Sequence, residues 1–134
     1  MTEAELVAAF QGQITLTNQL FFGYVSLMSG FLVMSYLVAS RISLLLASIA
    51  VVLFSIVSVL LTLGILLNQN DAQATMSYML EQSTLGNLDM AWLGSNPAWA
   101  SQIMSLLYMA ATIGGYFACV AYFFYSRRVR RVAA

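Results

Sequence analysis

From Ile14 to Ser40, Ile42 to Leu67 and Ala98 to Ser126 the chain runs apolar without a single Asp, Glu, Lys, Arg or His. Each run exceeds the roughly 20 residues that carry a helix across a hydrocarbon core about 30 Å thick. The pattern predicts an all-α membrane protein with three transmembrane helices over 14–40, 42–67 and 98–126. Ser40-Arg41-Ile42-Ser43 is the only punctuation between the first two runs, so those helices are expected to be antiparallel neighbours joined by a tight turn. Ser40 or Ser43 can cap the second.

Two shorter segments show helical periodicity of another kind. Thr2-Glu3-Ala4-Glu5 fits a capping box. Leu6, Val7 and Phe10 then share one face, which predicts a short amphipathic helix on the outer membrane surface within residues 1–12, with Gly12 breaking it from the first span. The outer loop, 68–97, carries Met76, Met79, Leu80 and Ser83 on one face up to Gly86, a C-cap candidate. Periodicity leaves open whether this helix continues the second span or lies flat. Asn96-Pro97 offers an N-cap and first-turn proline for the third span, and Trp92 and Trp99 fall where an interfacial aromatic belt belongs.

Charge orients the pattern. Glu3, Glu5, Asp71, Glu81 and Asp89 flank one end of the runs, and Arg41, Arg127, Arg128, Arg130 and Arg131 flank the other. Basic residues beside membrane spans are retained in the cytoplasm, so the amino terminus is expected outside and the carboxyl terminus, a basic tail at 127–134, inside. The arginines read as a cytoplasmic anchor against the lipid bilayer, and nucleic-acid binding is not expected. The acidic start and long apolar core of the first run also argue against a cleaved signal. With 61% apolar and 7% charged residues, against about a quarter charged in soluble domains, the chain forms one membrane domain. Small size and the lack of cysteine-rich loops or loops suited to glycosylation suggest a bacterial cytoplasmic membrane.

The chemistry on offer is sparse. Histidine and lysine are absent, and Cys119 is the only cysteine. No base, acid or ligand set falls inside a span, so neither catalysis nor a cofactor or metal site is expected. Small and hydroxylated residues instead align on helical faces: Gly23, Ser26 and Gly30 in the first span; Ser55, Ser58 and Thr62 in the second; Ser105 and Gly115 in the third, with Gly114 on a second small face behind. These are candidates for helix packing or for lining a pore. Asn18, Gln19, Asn68 and Gln102 collect near the outer boundary, as headgroup-seeking amides or as a polar pocket. The leading expectation is a non-catalytic membrane protein that acts through helix association, as a homo-oligomer or an accessory subunit beside other membrane subunits. The alternative is an oligomeric channel or carrier for a small neutral or weakly polar solute, and Ser55 and Ser58 are where the two readings separate.

Overall fold

A computed structural model describes residues 2–86 and 98–133. They form three helices, α1 (Glu3–Val38), α2 (Leu44–Thr84) and α3 (Ala98–Val132), each long and apolar enough to cross a membrane. At 1.5 Å per residue they extend about 54, 62 and 52 Å, well beyond a hydrocarbon core of about 30 Å. Fewer than one in five residues is buried in the apolar window of each helix. Phe22, Leu44, Leu45, Leu106 and Phe117 are each at least 65% exposed, a surface suited to lipid rather than water.

Capping explains where the helices begin and end. Thr2 Oγ1 accepts from Glu5 N while Glu5 Oε2 accepts from Thr2 N at 2.8 Å, which closes the capping box and starts α1. Ser43 starts α2, its hydroxyl accepting from Leu46 N. At the far end of α2, Leu85 N donates to Glu81 O, Gly86 N donates to Ser83 O, and Gly86 takes φ 76°, a left-handed turn that side chains resist. The Asn96-Pro97 pair and Trp92 lie outside the described residues.

One expectation about the ends of the spans needs correcting. Gly12 does not interrupt the helix, so 1–12 is not a separate surface segment: α1 is continuous from Glu3. The segment after Leu67, for which periodicity left two courses open, continues α2 to Thr84. The reason is mutual burial. Leu6, Val7 and Phe10, read as facing the membrane surface, pack against Met76, Met79 and Leu80 of α2, with Met79 fully buried. Two apolar stripes that each needed cover find it in one another, and one glycine costs only about 1 kcal/mol against a helix so supported.

The antiparallel α1–α2 register persists along the pair. Asn68 meets Thr17, Leu20 covers Gly64, Phe31 stacks on Phe54 with centroids 4.0 Å apart, and Ala39 joins Ala47 and Phe123 at the turn. The third helix runs parallel to α1 and meets it at Tyr24–Thr112, Met28–Cys119 and Ser35–Ser126. α1 is thus the central helix, and α2 and α3 touch each other far less.

Candidate functional site: the cleft between the second and third helices

Because α1 keeps α2 and α3 apart, a cleft runs between those two helices with α1 as its floor. It widens at three depths. In the middle is a cavity of about 240 Å³. Tyr24, Ser58 and Thr112 are buried there, whereas Val59, Leu63, Ile113 and Phe117 at the mouth are exposed. Nearer the acidic end a space of about 430 Å³ is lined by Thr17, Asn18, Gln69, Gln73, Ser105 and Tyr108 together with apolar side chains. Nearer the arginine end a space of about 190 Å³ lies between the start of α2 and Phe124 and Arg127 of α3.

Hydroxyls dominate the middle of the cleft, and most are already bonded. Within a helix a serine or threonine can donate to the carbonyl four residues back. Ser55 does so to Val51 O at 2.7 Å, Thr62 to Ser58 O at 2.8 Å and Thr112 to Tyr108 O at 2.9 Å. Longer side chains then bridge helices. Tyr24 donates to Thr112 O, and the hydroxyls of Ser55 and Tyr116 lie 2.6 Å apart. Ser58 Oγ is buried beside the Tyr24 hydroxyl without a hydrogen bond of regular geometry. A cavity lined by neutral hydroxyl-bearing residues and opening through an apolar mouth suits a neutral, largely apolar ligand or helix, and has no charge with which to drive proton transfer.

The small-residue candidates separate by environment. Gly115 lies under the Met28 side chain of α1, whose terminal methyl a Cβ there would displace. Gly23, Gly30 and Gly114 have nothing within 4 Å, and Ser26 is exposed beside them. Gly30 also edges a shallow groove formed with Phe31, Met34, Ala50 and Leu53. Ser105 is half-buried in the wider space at the acidic end.

The amides do not come together as one pocket. Asn18 lines the acidic-end space and accepts from the Tyr108 hydroxyl at 3.4 Å. Asn68 is turned into the α1–α2 contact, its Nδ2 donating to Gln13 O and Thr17 Oγ1, both at 2.6 Å. Gln19 and Gln102 are exposed on the outside. Among the arginines, Arg41 and Arg128 are exposed, Arg130 lies 4.2 Å over the Tyr36 ring, and Arg131 falls in the last turn of α3. Arg127 is buried.

Sequence reasoning passed over Tyr24 and Tyr116, which join the helices through their hydroxyls. The signal was present. A tyrosine in the middle of an apolar span carries an O–H that lipid cannot satisfy, so it marks a partner on another helix. The burial of Arg127 had no such signal, since one arginine in a tail of four looks like its neighbours.

Among the described residues, no group of three or more His, Cys, Asp or Glu side chains is placed to hold a metal. Cys119 is buried against α1, its thiol 3.9 Å from Met28 O. No family model, curated protein or solved structure matches this chain.

Proposed function

We propose that this chain is a small, non-catalytic integral membrane protein that works by helix association, joining a second copy of itself or another membrane subunit. One observation carries the reading: the contrast between filled and unfilled glycines. Gly64 and Gly115 are occupied inside the three-helix unit, by Leu20 and Met28, whereas Gly23, Gly30 and Gly114 present bare backbone to the outside. Small residues let membrane helices approach closely, so open faces of this kind at mid-span are where a further helix docks at least loss. The test is association in native membranes. With Gly114→Leu or Gly30→Leu, cross-linked oligomer or co-purified partner is expected to fall while insertion and folding persist, leucine being favourable in lipid. A wild-type chain that stays monomeric in several mild detergents and recovers no partner overturns the reading.

In the same proposal the arginine end faces the cytoplasm of a bacterial inner membrane and the acidic end faces outward, by the retention of basic flanks. In a Cys119→Ala background, Met90→Cys is expected to react with an impermeant thiol reagent added to intact cells, and Val132→Cys to be protected. The reverse labelling inverts the assignment.

A channel or carrier for a small neutral solute is the second reading. It is favoured by one feature, the 240 Å³ cavity lined by the hydroxyl-bearing residues Tyr24, Ser58, Thr62 and Thr112. In a single copy this cleft opens sideways past exposed Val59 and Phe117, so a conducting path needs further copies to wall it.

A further inference from the structure

Ile113-Gly114-Gly115-Tyr116 holds the only adjacent glycines of the chain, in the middle of α3. Glycine has no Cβ to restrict φ and ψ and is the weakest helix former after proline, so this step is where the backbone of α3 yields first. The two sides of the step are held unequally. After it, Cys119, Phe123, Ser126 and Arg127 are buried, Ser126 donates to Ser35 O, and the Tyr116 ring stacks on Phe54 with centroids 5.7 Å apart. Before it, Thr112 is the buried side chain among the described residues, while Trp99, Leu106 and Leu107 are each at least 60% exposed. Tyr108 ties this half to α1, edge-on to Phe21 at 4.9 Å and donating to Asn18 over a long 3.4 Å.

In an α-helix the Tyr116 amide donates to Thr112 O, a bond that encloses both glycines. Thr112 faces α1, so a tilt of the first half of α3 away from α1 stretches this bond before those on the far side of the helix. That carbonyl has a second donor, because the Tyr24 hydroxyl of α1 reaches across to it. Lipid offers a released backbone group no partner, and membrane helices bend where a neighbouring side chain takes that group over. Tyr24 holds this position at the glycine step. Gly115 lies under the flexible end of Met28, which can follow a change of angle, and Gly114 has nothing within 4 Å to resist one.

We propose that Gly114 and Gly115 form a hinge at which the first half of α3, 98–113, tilts away from α1, with the Tyr24 hydroxyl holding the Thr112 carbonyl that the tilt releases. Hinges are a few residues that absorb a change in φ and ψ while the flanking elements stay rigid. Ser101, Met104, Ser105 and Tyr108 of the moving half wall the acidic-end space of about 430 Å³, so the tilt widens that part of the cleft. The motion is a property of the single chain, whether or not the protein associates.

Pulsed electron paramagnetic resonance in lipid nanodiscs tests it. The full chain in a Cys119→Ala background carries spin labels at two introduced cysteines and is diluted with unlabelled chain, so that distances within one copy are read. Leu60→Cys with Leu106→Cys reports the first half of α3 against α2, and Leu53→Cys with Tyr125→Cys reports the second half; all four positions are exposed. The first pair is expected to give a distinctly broader distance distribution than the second. Tyr24→Phe keeps the ring and removes the substitute donor, and Gly114→Ala stiffens the step where a Cβ meets nothing within 4 Å. Each is expected to narrow the first distribution to the width of the second and to leave the second unchanged, which also reports that the variant folds. Gly114→Ala touches no other helix and keeps the test decisive even where the buried Tyr24→Phe does not fold. Equal widths for the two pairs without these substitutions, or a first distribution that stays broad in either folded variant, overturns the hinge.

Discussion

On the side of α3 that meets α1, Gly115, Thr112, Cys119 and Ser126 form a closed seam. Met28 fills the space over Gly115, Tyr24 donates to the Thr112 carbonyl, and Ser126 donates to Ser35 O at 3.0 Å. On the outward side, Gly114 begins a stripe with Ala118 and Ala121 that has the same small residues and no neighbour. Composition does not distinguish these two surfaces; the difference is whether another helix of the same chain reaches them. Small residues in a membrane helix therefore report the opportunity for close approach, and only the fold reports whether the opportunity is already taken.

The sharpest way to break this comparison is to place the same side chain on both surfaces. Gly115→Leu drives a side chain into the flexible end of Met28, which must move aside, and is expected to cost about 1 to 3 kcal/mol, seen as a lower melting temperature. Gly114→Leu is expected to leave the isolated chain's melting temperature unchanged and to lower association instead. Equal losses of stability would mean that both sides of α3 are packed within one subunit.

The α2–α3 cleft lies between those extremes, narrow enough for Ser55 to reach Tyr116 but widened around Ser58. Ser55→Leu and Ser58→Leu are expected to overfill it at a cost of about 1 to 2 kcal/mol, with lowered stability or yield. Solute flux lost at normal stability would instead favour the channel reading. Normal flux at normal stability would mean that the cleft takes up both side chains without being either a close contact or a solute path.

A smaller effect sharpens the comparison with the α1–α2 pair, where Asn68 bonds to two groups of α1. Asn68→Leu removes two interhelical bonds and is expected to cost about 1 kcal/mol, since such bonds average about 0.6 kcal/mol in membranes. The loss should concentrate in the extension beyond Thr17, where Leu6 and Met79 hold α1 to α2, and amide exchange of Leu6 to Gln13 measures it.

The smallest effect is at the capped end of α1. The Thr2 backbone and side chain hydrogen-bond the Glu5 carboxylate and hold it below the ordinary carboxylate range. A lowered folded value means that this contribution is present above the unfolded pKa and is lost as pH falls through the folded one. Protection of the first-turn amides, measured relative to their intrinsic exchange rate at each pH, is therefore expected to fall between about pH 5 and about pH 3, and Glu5→Gln to remove that pH dependence. A pH response unchanged in Glu5→Gln would assign it elsewhere.

Much of this was legible in the residues. Hydropathy marked three spans, the Thr2-to-Glu5 spacing marked the cap of α1, and Gly86 marked the turn after α2, because each depends on neighbours within one or two helical turns. The candidate site was legible only in part. The hydroxyl face of α2 could be read from its spacing, but Tyr24 beneath it and Tyr116 across from it become part of one cleft through contacts between residues far apart in sequence.

Sequence alone determined that the backbone must be helical through the apolar runs, since lipid offers unpaired amides no partner, and it placed acids and arginines at opposite ends. Only the tertiary structure decided what each helical face touches. Apolar residues are as comfortable against lipid as against another helix, so hydrophobicity, which sorts inside from outside in water, carries no such information in a membrane. That is why Leu6 and Met79 read as surface residues until the two helices were seen to cover them, why Gly114 and Gly115 could not be told apart, and why the burial of Arg127 came as a finding of the fold.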